Sequence, residues 1–401
     1  MNILYTTPIL EYPAKGGPQL RIESSIKALS KICNLHILHQ APYPSNTVNV
    51  TDAYFRKFSE NYQTIYRYPS NRFLRLACKV LQKFFGVDFE HAAAKTIKYI
   101  RNNKIEIVWF GYGNISYQLI KAVKESLPEV KVVCDTDSVW SRFVLRELPY
   151  AEGPRKAKIE RDGALKEAEE RAWVNLCEVT TAVSEVDADY YRSIADEPAR
   201  VKLFSNVIDI QNYDAIPAQP TNFRKPCIFL SGSFGPNSAM NMAANWVLDE
   251  VLPLVHQRRP ELHFYIVGRN SDREFSHRAN ANVTVTGMLE SVLPYLYHAD
   301  VALVPLKFES GTRFKILEAG ACRVPLVSTT LGAEGIPVVD DQDILIADDP
   351  ADFAAAILRI LDEPELGSRL AESCYQLVAV HYSVEALMNE AEAILKYLNN
   401  D

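Results

Sequence analysis

Short apolar segments alternate with longer helical segments along most of this chain of 401 residues. In the first half the apolar segments are NILYTT, NLHILH, IEIVWFG, VKVVCD, VTTAVS and VKLFSNV, and in the second half they are CIFLSGS, HFYIVG, VTVTG, DVALVPL, PLVSTT and DILIA. Such alternation predicts parallel βαβ units, and strands that are apolar throughout indicate sheets covered on both faces. We therefore predict an α/β protein with doubly wound parallel sheets.

The chain is too long for a single hydrophobic core, so the sequence predicts two domains. The segment 211–226 contains three prolines and little periodicity, which is typical of a linker. We predict Rossmann-like domains over 1–210 and 227–380, with a helix over 381–401 that returns toward the first domain. Doubly wound sheets bind ligands outside the carboxyl ends of their strands.

Composition limits the classes of protein that the chain can represent. Its seven cysteines are scattered without a CxxC pair, which favours a reducing cytoplasm and argues against a disulfide framework or a zinc site. No apolar run approaches the roughly 18 residues of a spanning helix. The start, MNILYTTPILEY, is expected to be a first strand rather than a signal peptide. We expect a cytoplasmic protein.

Charge is distributed unevenly along the chain. Residues 1–103 carry a balance of +8, although the whole chain carries −7. Within SNRFLRLACKVLQKFFG, residues 70–86, four cations fall on one side of a predicted helix and apolar residues on the other. A core-packed helix with a solvated basic face explains this pattern. The alternative is contact of 54–86 with an anionic membrane surface, at the inner face of the membrane. No nucleic-acid recognition motif is present.

The segment ESGTRFKILEAGACRVPLVSTTLGAEG, residues 309–335, places charges beside a glycine turn. Arg313 and Lys315 follow the turn 310–312, and Glu318 lies further along the same predicted helix. Unpaired N–H groups at a helix start bind anions, two cations suit a diphosphate, and a carboxylate can accept hydrogen bonds from a ribose diol. This predicts a nucleotide site, and the alternative is a surface helix with solvated cations and a glutamate that favours the helix dipole.

This segment resembles the signature loop of retaining glycosyltransferases of family 4, in the branch written G-T-R-x-K-x-L-E-A. FLSGSFGPNSAMNMAANWVLDEVLPLV is similar to the G-S-x-x-x-P-N segment of that branch, and VTTAVSEVDADYY, FSNVIDIQNYD and GGPQLRIESSIKAL are similar to its A-V-S-x-x-D, N-x-V-D and G-G-x-x-x-R segments. The resemblance implies the GT-B fold, in which two Rossmann-like domains face a cleft. It also implies an acceptor on the first domain and a nucleotide-sugar donor on the second.

The resemblance also implies roles for single residues. Ser310 stands where the family has its first glutamate, and Ser233 stands where it has an arginine that binds the donor phosphate. Arg313 and Lys315 are then expected to neutralise the diphosphate, and Glu318 to hold the ribose. The remaining donor-site candidates are Ser233, Ser310, the sugar-contacting amides at Gly311 and Thr312, Gly287 and Met288 at the base, and Gly16 and Gly17 in the first glycine turn. A plain strand-to-helix turn is the alternative for both pairs of neighbours.

Asp135 and Asp137 form a DxD tripeptide at the end of a predicted strand. DxD helps to bind a divalent metal in another glycosyltransferase fold, through oxygen ligands. The pattern often arises by chance, so we predict no metal site. Asp137 is expected to line the acceptor cleft and is our third catalytic candidate, beside Arg313 and Lys315. The alternative is that Asp135 caps the next helix.

These features together predict a retaining, metal-independent hexosyltransferase without a cofactor. Its donor would be a UDP-sugar and its acceptor a glycan, a lipid-linked molecule or a small molecule, in polysaccharide, glycolipid or other glycoconjugate synthesis. One alternative is a nucleotide-sugar epimerase of the same fold, with Asp135, Asp137 and Glu309 as acid–base candidates. Another is a non-catalytic homologue that binds a nucleotide sugar, which the serine at 310 would permit.

Overall fold

Parallel strands and their connecting helices form two separate units in the computed structural model, which describes residues 1–14, 16–67, 73, 76, 91–311 and 313–400. The first unit contains Met1–Ser141, Glu160–Val207 and Val384–Asp401, and the second contains Arg142–Ile159 and Ile208–Ser383. The predicted first domain, 1–210, is continuous, whereas in the structure Arg142–Ile159 belongs to the second unit. Chain order alone does not reveal this exchange.

The first unit contains a parallel sheet in the order β3-β2-β1-β4-β5-β6-β7. Its strands are β1 (Asn2–Thr7), β2 (Asn34–Ala41), β3 (Asn61–Tyr66), β4 (Ile107–Gly111), β5 (Lys131–Asp135), β6 (Val179–Ala182) and β7 (Val201–Leu203). The central strands are buried along their length, as their apolar sequences require. Edge strand β3 combines exposed, half-buried and buried residues, and the apolar pattern did not predict it.

Helices connect the strands of the first unit. They are α1 (Gly17–Ile32), α2 (Asn46–Phe55), α3 (His91–Asn102), α4 (Tyr117–Ser126), α5 (Trp140–Leu145), α6 (Gly153–Val174) and α7 (Glu185–Ile194), and the boundaries between the two units fall within α5 and α6. The basic segment 70–86 lies outside the described residues except for Phe73 and Leu76, which are 84% and 63% exposed. No helix of the described residues is long and apolar enough to cross a membrane.

The second unit contains a parallel sheet in the order β10-β9-β8-β11-β12-β13. Its strands are β8 (Cys227–Ser231), β9 (His263–Val267), β10 (Val283–Val285), β11 (Val301–Val304), β12 (Leu326–Ser328) and β13 (Leu345–Ile346). The connecting helices are α8 (Ala239–Trp246), α9 (Leu252–His256), α10 (Ser271–Phe275), α11 (Leu293–Leu296), α12 (Phe314–Ala321), α13 (Thr330–Ala333), α14 (Pro350–Asp362) and α15 (Pro364–His381). The two parallel sheets with alternating helices confirm the predicted α/β fold class.

One predicted helix is interrupted in the structure, and the last helix belongs to the first unit. The helix predicted over 238–258 contains a π-helical turn at Val247–Val251 between α8 and α9. Pro253 lacks the N–H that would donate to Asp249 in an α-helix, which accounts for the altered register. The last helix, α16 (Val384–Asn400), packs against α1 within the first unit, where Lys31 and Glu385 form an ion pair at 3.2 Å.

A buried ion pair joins α1 to the central sheet of the first unit. The guanidinium of Arg21 donates to Asp135 at the end of β5, to Asn206 Oδ1 at 2.8 Å and to the carbonyl of Phe204 at 3.0 Å. Thr181 donates to the same carboxylate oxygen at 2.9 Å. Arg21 and Asp135 are only 1% and 0% exposed. Removing one member of such a pair leaves an uncompensated buried charge.

We therefore expect Arg21→Met to lower the free energy of unfolding of the first unit by about 3–5 kcal/mol. Hydrogen–deuterium exchange of β1 and β5 measures this free energy locally. The double variant with Asp135→Asn should recover part of the loss. Arg192→Met is the matched control, because Arg192 pairs with exposed Glu185 at 2.7 Å and should cost less than about 1 kcal/mol. Equal effects of the two single variants would contradict the role given to the buried pair.

Candidate functional site

The carboxyl edge of the second sheet brings together most of the predicted donor-site residues. Its strands are all parallel, so the loops that follow them leave the sheet on one side. Exposed Ser233 follows β8, Gly287 and Met288 follow β10, and the segment 305–318 follows β11. Thr312 lies outside the described residues. The shared edge agrees with the predicted positions, whereas ligand contacts of these residues stay predictions.

Three glycines form a backbone junction at the ends of β8, β9 and β10. Gly232 N–H donates to Val267 O at 2.9 Å, and Gly268 N–H donates to Gly287 O at 3.0 Å. Gly268 has a φ of 126°, and a Cβ there would lie 2.1 Å from the carbonyl oxygen of Gly232. Only glycine fits this position. Gly287, with a φ of 71°, therefore has a structural role, because its carbonyl joins two strand ends, whatever it contacts in a ligand.

The loop 305–313 leads from β11 into the eight-residue helix α12. Gly311 has a φ of 83°, so the chain turns through a conformation that favours glycine. Arg313 precedes the first turn of α12 and makes no side-chain cap there. Among the described residues, the N–H groups of Phe314 and Lys315 have no acceptor, so the start of this helix is available to an anion, whereas Ile316 N–H donates to Arg313 O at 3.0 Å. Ser310 is 9% exposed, and its hydroxyl has no hydrogen-bond partner among the described residues.

The guanidinium of Arg313 is directed into the loop. Its side chain is 4% exposed and donates to the carbonyls of Gly311 and, at 3.4 Å, Leu331. Its Nε lies 3.7 Å from the carboxylate of Glu309. The sequence predicts direct contact of this side chain with a diphosphate. In the structure the guanidinium donates to carbonyls of the loop and of α13, and its contact with a diphosphate stays a prediction.

Lys315 and Glu318 are both half-buried on α12. The hydroxyl of Tyr213 donates to Glu318 Oε1 at 3.2 Å. Burial raises the pKa of Glu318, although the charge of Lys315 and the hydrogen bond from Tyr213 oppose the shift. Tyr213 belongs to the segment that the sequence predicts as a linker. Sequence reasoning missed it because this partner lies 105 positions before Glu318 and no motif marks it.

Arg146 forms a second charged contact with the loop. It makes a bidentate ion pair with Glu334 at 2.6 and 2.8 Å, and its Nη1 donates to the carbonyl of Glu309 at 2.6 Å. Arg142 lies 3.8 Å from the same carboxylate. Burial would raise the pKa of Glu334, but hydrogen bonds from Arg146 and the charges of Arg146, Arg142 and Arg313 hold it below its usual value. No sequence motif marks Arg146, which lies in the predicted first domain.

In the first unit, Gly16 and Gly17 lie where β1 is followed by α1. The carbonyl of Gly16 accepts from the N–H groups of Gln19 and Leu20, both at 3.1 Å. Its φ of 170° is extended, and the nearest atom to a Cβ there would be 3.8 Å away. No contact with a described residue requires glycine at this position. Its predicted part in ligand binding stays a prediction.

The two carboxylates of the DxD tripeptide have different environments. Asp135 binds Arg21 and Thr181, so it does not cap a helix as one sequence interpretation expected. Half-buried Asp137 accepts hydrogen bonds from Asn114 Nδ2 at 2.6 Å and Trp140 Nε1 at 3.1 Å. Burial raises the pKa of Asp137, although the hydrogen bonds from Asn114 and Trp140 oppose the shift. Among the described residues, no group of three His, Cys, Asp or Glu side chains is arranged to hold a metal ion.

Comparison with known proteins gives a family match within the second unit. Residues 225–363 match the family described as Glycosyl transferases group 1. A glycogen synthase of Mycobacterium tuberculosis is 28% identical over 135 residues, which cover 31% of this chain and 32% of the relative. The chain spans less than half the length of the curated relatives it matches.

Solved structures resemble the chain along its whole length. Sucrose-phosphate synthase from Thermosynechococcus elongatus has a TM-score of 0.70 at 15% identity and covers both chains fully. Anabaena Alr3699/HepE in complex with UDP-glucose has a TM-score of 0.66 at 11% identity, again with full coverage of both chains. At such identities the likeness concerns the fold. The chain thus has the GT-B fold, and its residues 225–363 match the group 1 glycosyl transferase family.

Proposed function

We propose that this protein is a glycosyltransferase that takes a sugar from a nucleotide-sugar donor, a UDP-sugar, and transfers it to an acceptor hydroxyl with retention of configuration. The segment 305–318 is the observation that carries the proposal. It combines an uncapped helix start, Lys315 and the half-buried carboxylate of Glu318 at the carboxyl edge of a parallel sheet. The family match includes this segment, and one structural neighbour was solved with UDP-glucose.

The donor's charge and ribose have separate partners in this proposal. Lys315 and the first N–H groups of α12 bind the diphosphate, and buried Arg313 adds positive charge beneath the loop. Glu318 accepts hydrogen bonds from the ribose diol, while Tyr213 holds its Oε1. Met288 is 56% exposed beside Gly287 and offers an apolar surface to the base. Ser233 lies at the end of β8, on the diphosphate side.

The reaction requires stabilisation of a departing nucleoside diphosphate. The bond from the anomeric carbon to the phosphate oxygen breaks, the acceptor oxygen bonds to that carbon, and the acceptor proton passes to the departing phosphate. Fixed cations and amides can stabilise this charge without a metal ion. In the first unit, we assign binding of the acceptor hydroxyl to Asp137 and a part in donor binding to Gly16 and Gly17. The acceptor is a glycan, a lipid-linked molecule or a small molecule in glycoconjugate synthesis.

Wild-type protein should bind UDP and UDP-glucose and should slowly release UDP from UDP-glucose. A ligand that binds only the native state raises thermal stability by mass action, by about 2.7 kcal/mol at a hundred times its Kd. Thermal shift with nucleoside diphosphates of all common bases measures binding, and chromatography measures release. Absence of a shift with every nucleotide and its sugar would contradict the proposed function. Binding without release or transfer would indicate a homologue that only binds.

Lys315→Ala should lower turnover at least tenfold, which corresponds to about 1.4 kcal/mol or more of barrier. The reason is loss of a cation beside the departing diphosphate. Lys225→Ala is the matched control, since Lys225 pairs with Asp300 at 2.9 Å just before β8, at the amino end of the same sheet. Steady-state kinetics compares the variants. Wild-type turnover in Lys315→Ala would remove the role given to this lysine.

Glu318→Gln should reduce the preference of the protein for UDP over 2′-deoxy-UDP, because an amide has one acceptor oxygen where a carboxylate has two. Calorimetric titration of both nucleotides gives this preference. Since burial raises the pKa of Glu318, acidification should weaken the preference at a higher pH than expected for an exposed glutamate. An unchanged preference in the variant would contradict ribose binding by this residue.

The segment 54–86 should bring the protein to anionic membranes, where lipid-linked acceptors are found. Its basic residues attract an anionic surface within a Debye length. In vesicle flotation we expect stronger binding to anionic than to neutral vesicles. A variant with Gln at Arg72, Arg75, Lys79 and Lys83 should lose this difference. Equal binding of the wild type to both kinds of vesicle would contradict the proposed membrane contact.

A further inference from the structure

Side-chain donors hold the carbonyls of alternate residues in the loop 305–313. Tyr150 Oη donates to Lys307 O at 3.2 Å, Arg146 Nη1 donates to Glu309 O at 2.6 Å, and the guanidinium of Arg313 donates to Gly311 O. Tyr150 also packs on Phe308, with ring centroids 5.7 Å apart. The segment that contains Arg146 and Tyr150 belongs to the second unit. The conformation of this loop therefore depends on side chains from a distant part of the sequence.

The contact of Arg146 with Glu309 fixes the orientation of the next amide. In a trans peptide the N–H points opposite to the carbonyl of the same plane. Because the carbonyl of Glu309 faces Arg146, the N–H of Ser310 faces away from it. No described residue accepts from this N–H, and the buried hydroxyl of Ser310 has no partner among them either. Buried polar groups are normally hydrogen-bonded, so the buried hydroxyl, with the N–H beside it, indicates a ligand oxygen as partner.

The guanidinium of Arg146 is itself held in place. Its bidentate contact with Glu334 fixes the plane of the guanidinium, which a lysine could not reproduce. Glu334 directly follows α13, whose capping residue Thr329 accepts from Gly332 N–H at 2.9 Å and donates to Leu306 O at 2.6 Å. The start of the loop, α13 and Arg146 are thus connected by short hydrogen bonds. A small displacement of Arg146 would turn the peptide between Glu309 and Ser310.

We propose that Arg146 is a positioning residue that orients the N–H and hydroxyl of Ser310 toward oxygen atoms of the donor. This rests on the proposed function and adds a residue that no motif of the sequence marks. The oxygen atoms belong either to the diphosphate or to the hydroxyl groups of the transferred sugar, which share the chemistry of hydrogen-bond acceptors. Arg146 does not touch the nucleotide sugar, because its N–H groups are directed to Glu309 and Glu334.

Calorimetric titration of Arg146→Lys with UDP and UDP-glucose tests the proposal. Lysine keeps the charge but loses the bidentate geometry, so we expect the Kd for UDP-glucose to rise at least tenfold. A parallel rise for UDP would assign the contact to the diphosphate, and an unchanged Kd for UDP would assign it to the sugar. Arg155→Lys is the matched control, because Arg155 lies in the same segment and pairs with Glu147 at 2.7 Å. It should bind both ligands as the wild type does.

Two further measurements separate positioning from other roles. Uridine binding, measured by competition NMR, should be unchanged in Arg146→Lys, because uridine reaches Glu318 but not Ser310. Weaker uridine binding would show a general loss of structure and would overturn the proposal. Wild-type affinity in Arg146→Lys together with weak binding in Arg146→Ala would show that the positive charge alone suffices for donor binding. This result would also overturn the proposal. If the wild type binds no nucleotide sugar, the proposed function and this inference both fail, whereas wild-type behaviour of both Arg146 variants overturns only the inference.

Discussion

Parallel pairing of the strands is the constraint on which the rest of the structure depends. It directs every strand of a sheet the same way, so each carboxyl-end loop must leave at one edge and each connection must return through a helix. In the second unit this edge collects the glycine junction, the loop 305–313 and the start of α12. In the first unit it collects Gly16 and Asp137. Parallel pairing alone therefore places residues that are far apart in sequence at the same edge of a sheet.

At the carboxyl edge of the second sheet, charged side chains surround the backbone of the loop 305–313. Arg142, Arg146 and Arg313 face the carboxylates of Glu309 and Glu334, so the cluster has one more positive than negative charge. The guanidinium groups of Arg146 and Arg313 donate to carbonyls of the loop, so these acceptors already have partners within the protein. Lys315 adds a cation on α12. Full charges and oriented amides therefore act with the same sign, as stabilisation of a departing diphosphate requires.

Features that depend on short segments could be predicted from the sequence, whereas features that depend on long-range contacts could not. The apolar strands, the glycine turn before α12 and the positions of Ser233, Gly287 and Glu318 after their strands follow from short segments. Edge strand β3, NYQTIY, contains no continuous apolar run, so the pattern that predicts the other strands does not predict it. Arg146 and Tyr213 were missed because their partners lie 188 and 105 positions away. The inward direction of Arg313 was missed because a motif gives residue type and spacing but not side-chain orientation.

The serine at 310 changes what this loop can offer a ligand. A carboxylate there would only accept hydrogen bonds and would add a negative charge beside the proposed diphosphate site. Serine adds no charge, and its hydroxyl can donate or accept as the ligand requires. Glu309 does not replace the missing carboxylate, because its side chain is paired with Arg313 and its carbonyl with Arg146. The loop therefore offers hydrogen-bond donors to anionic and hydroxyl oxygen atoms of a ligand. The orientation of the peptide between Glu309 and Ser310 determines the direction of these donors.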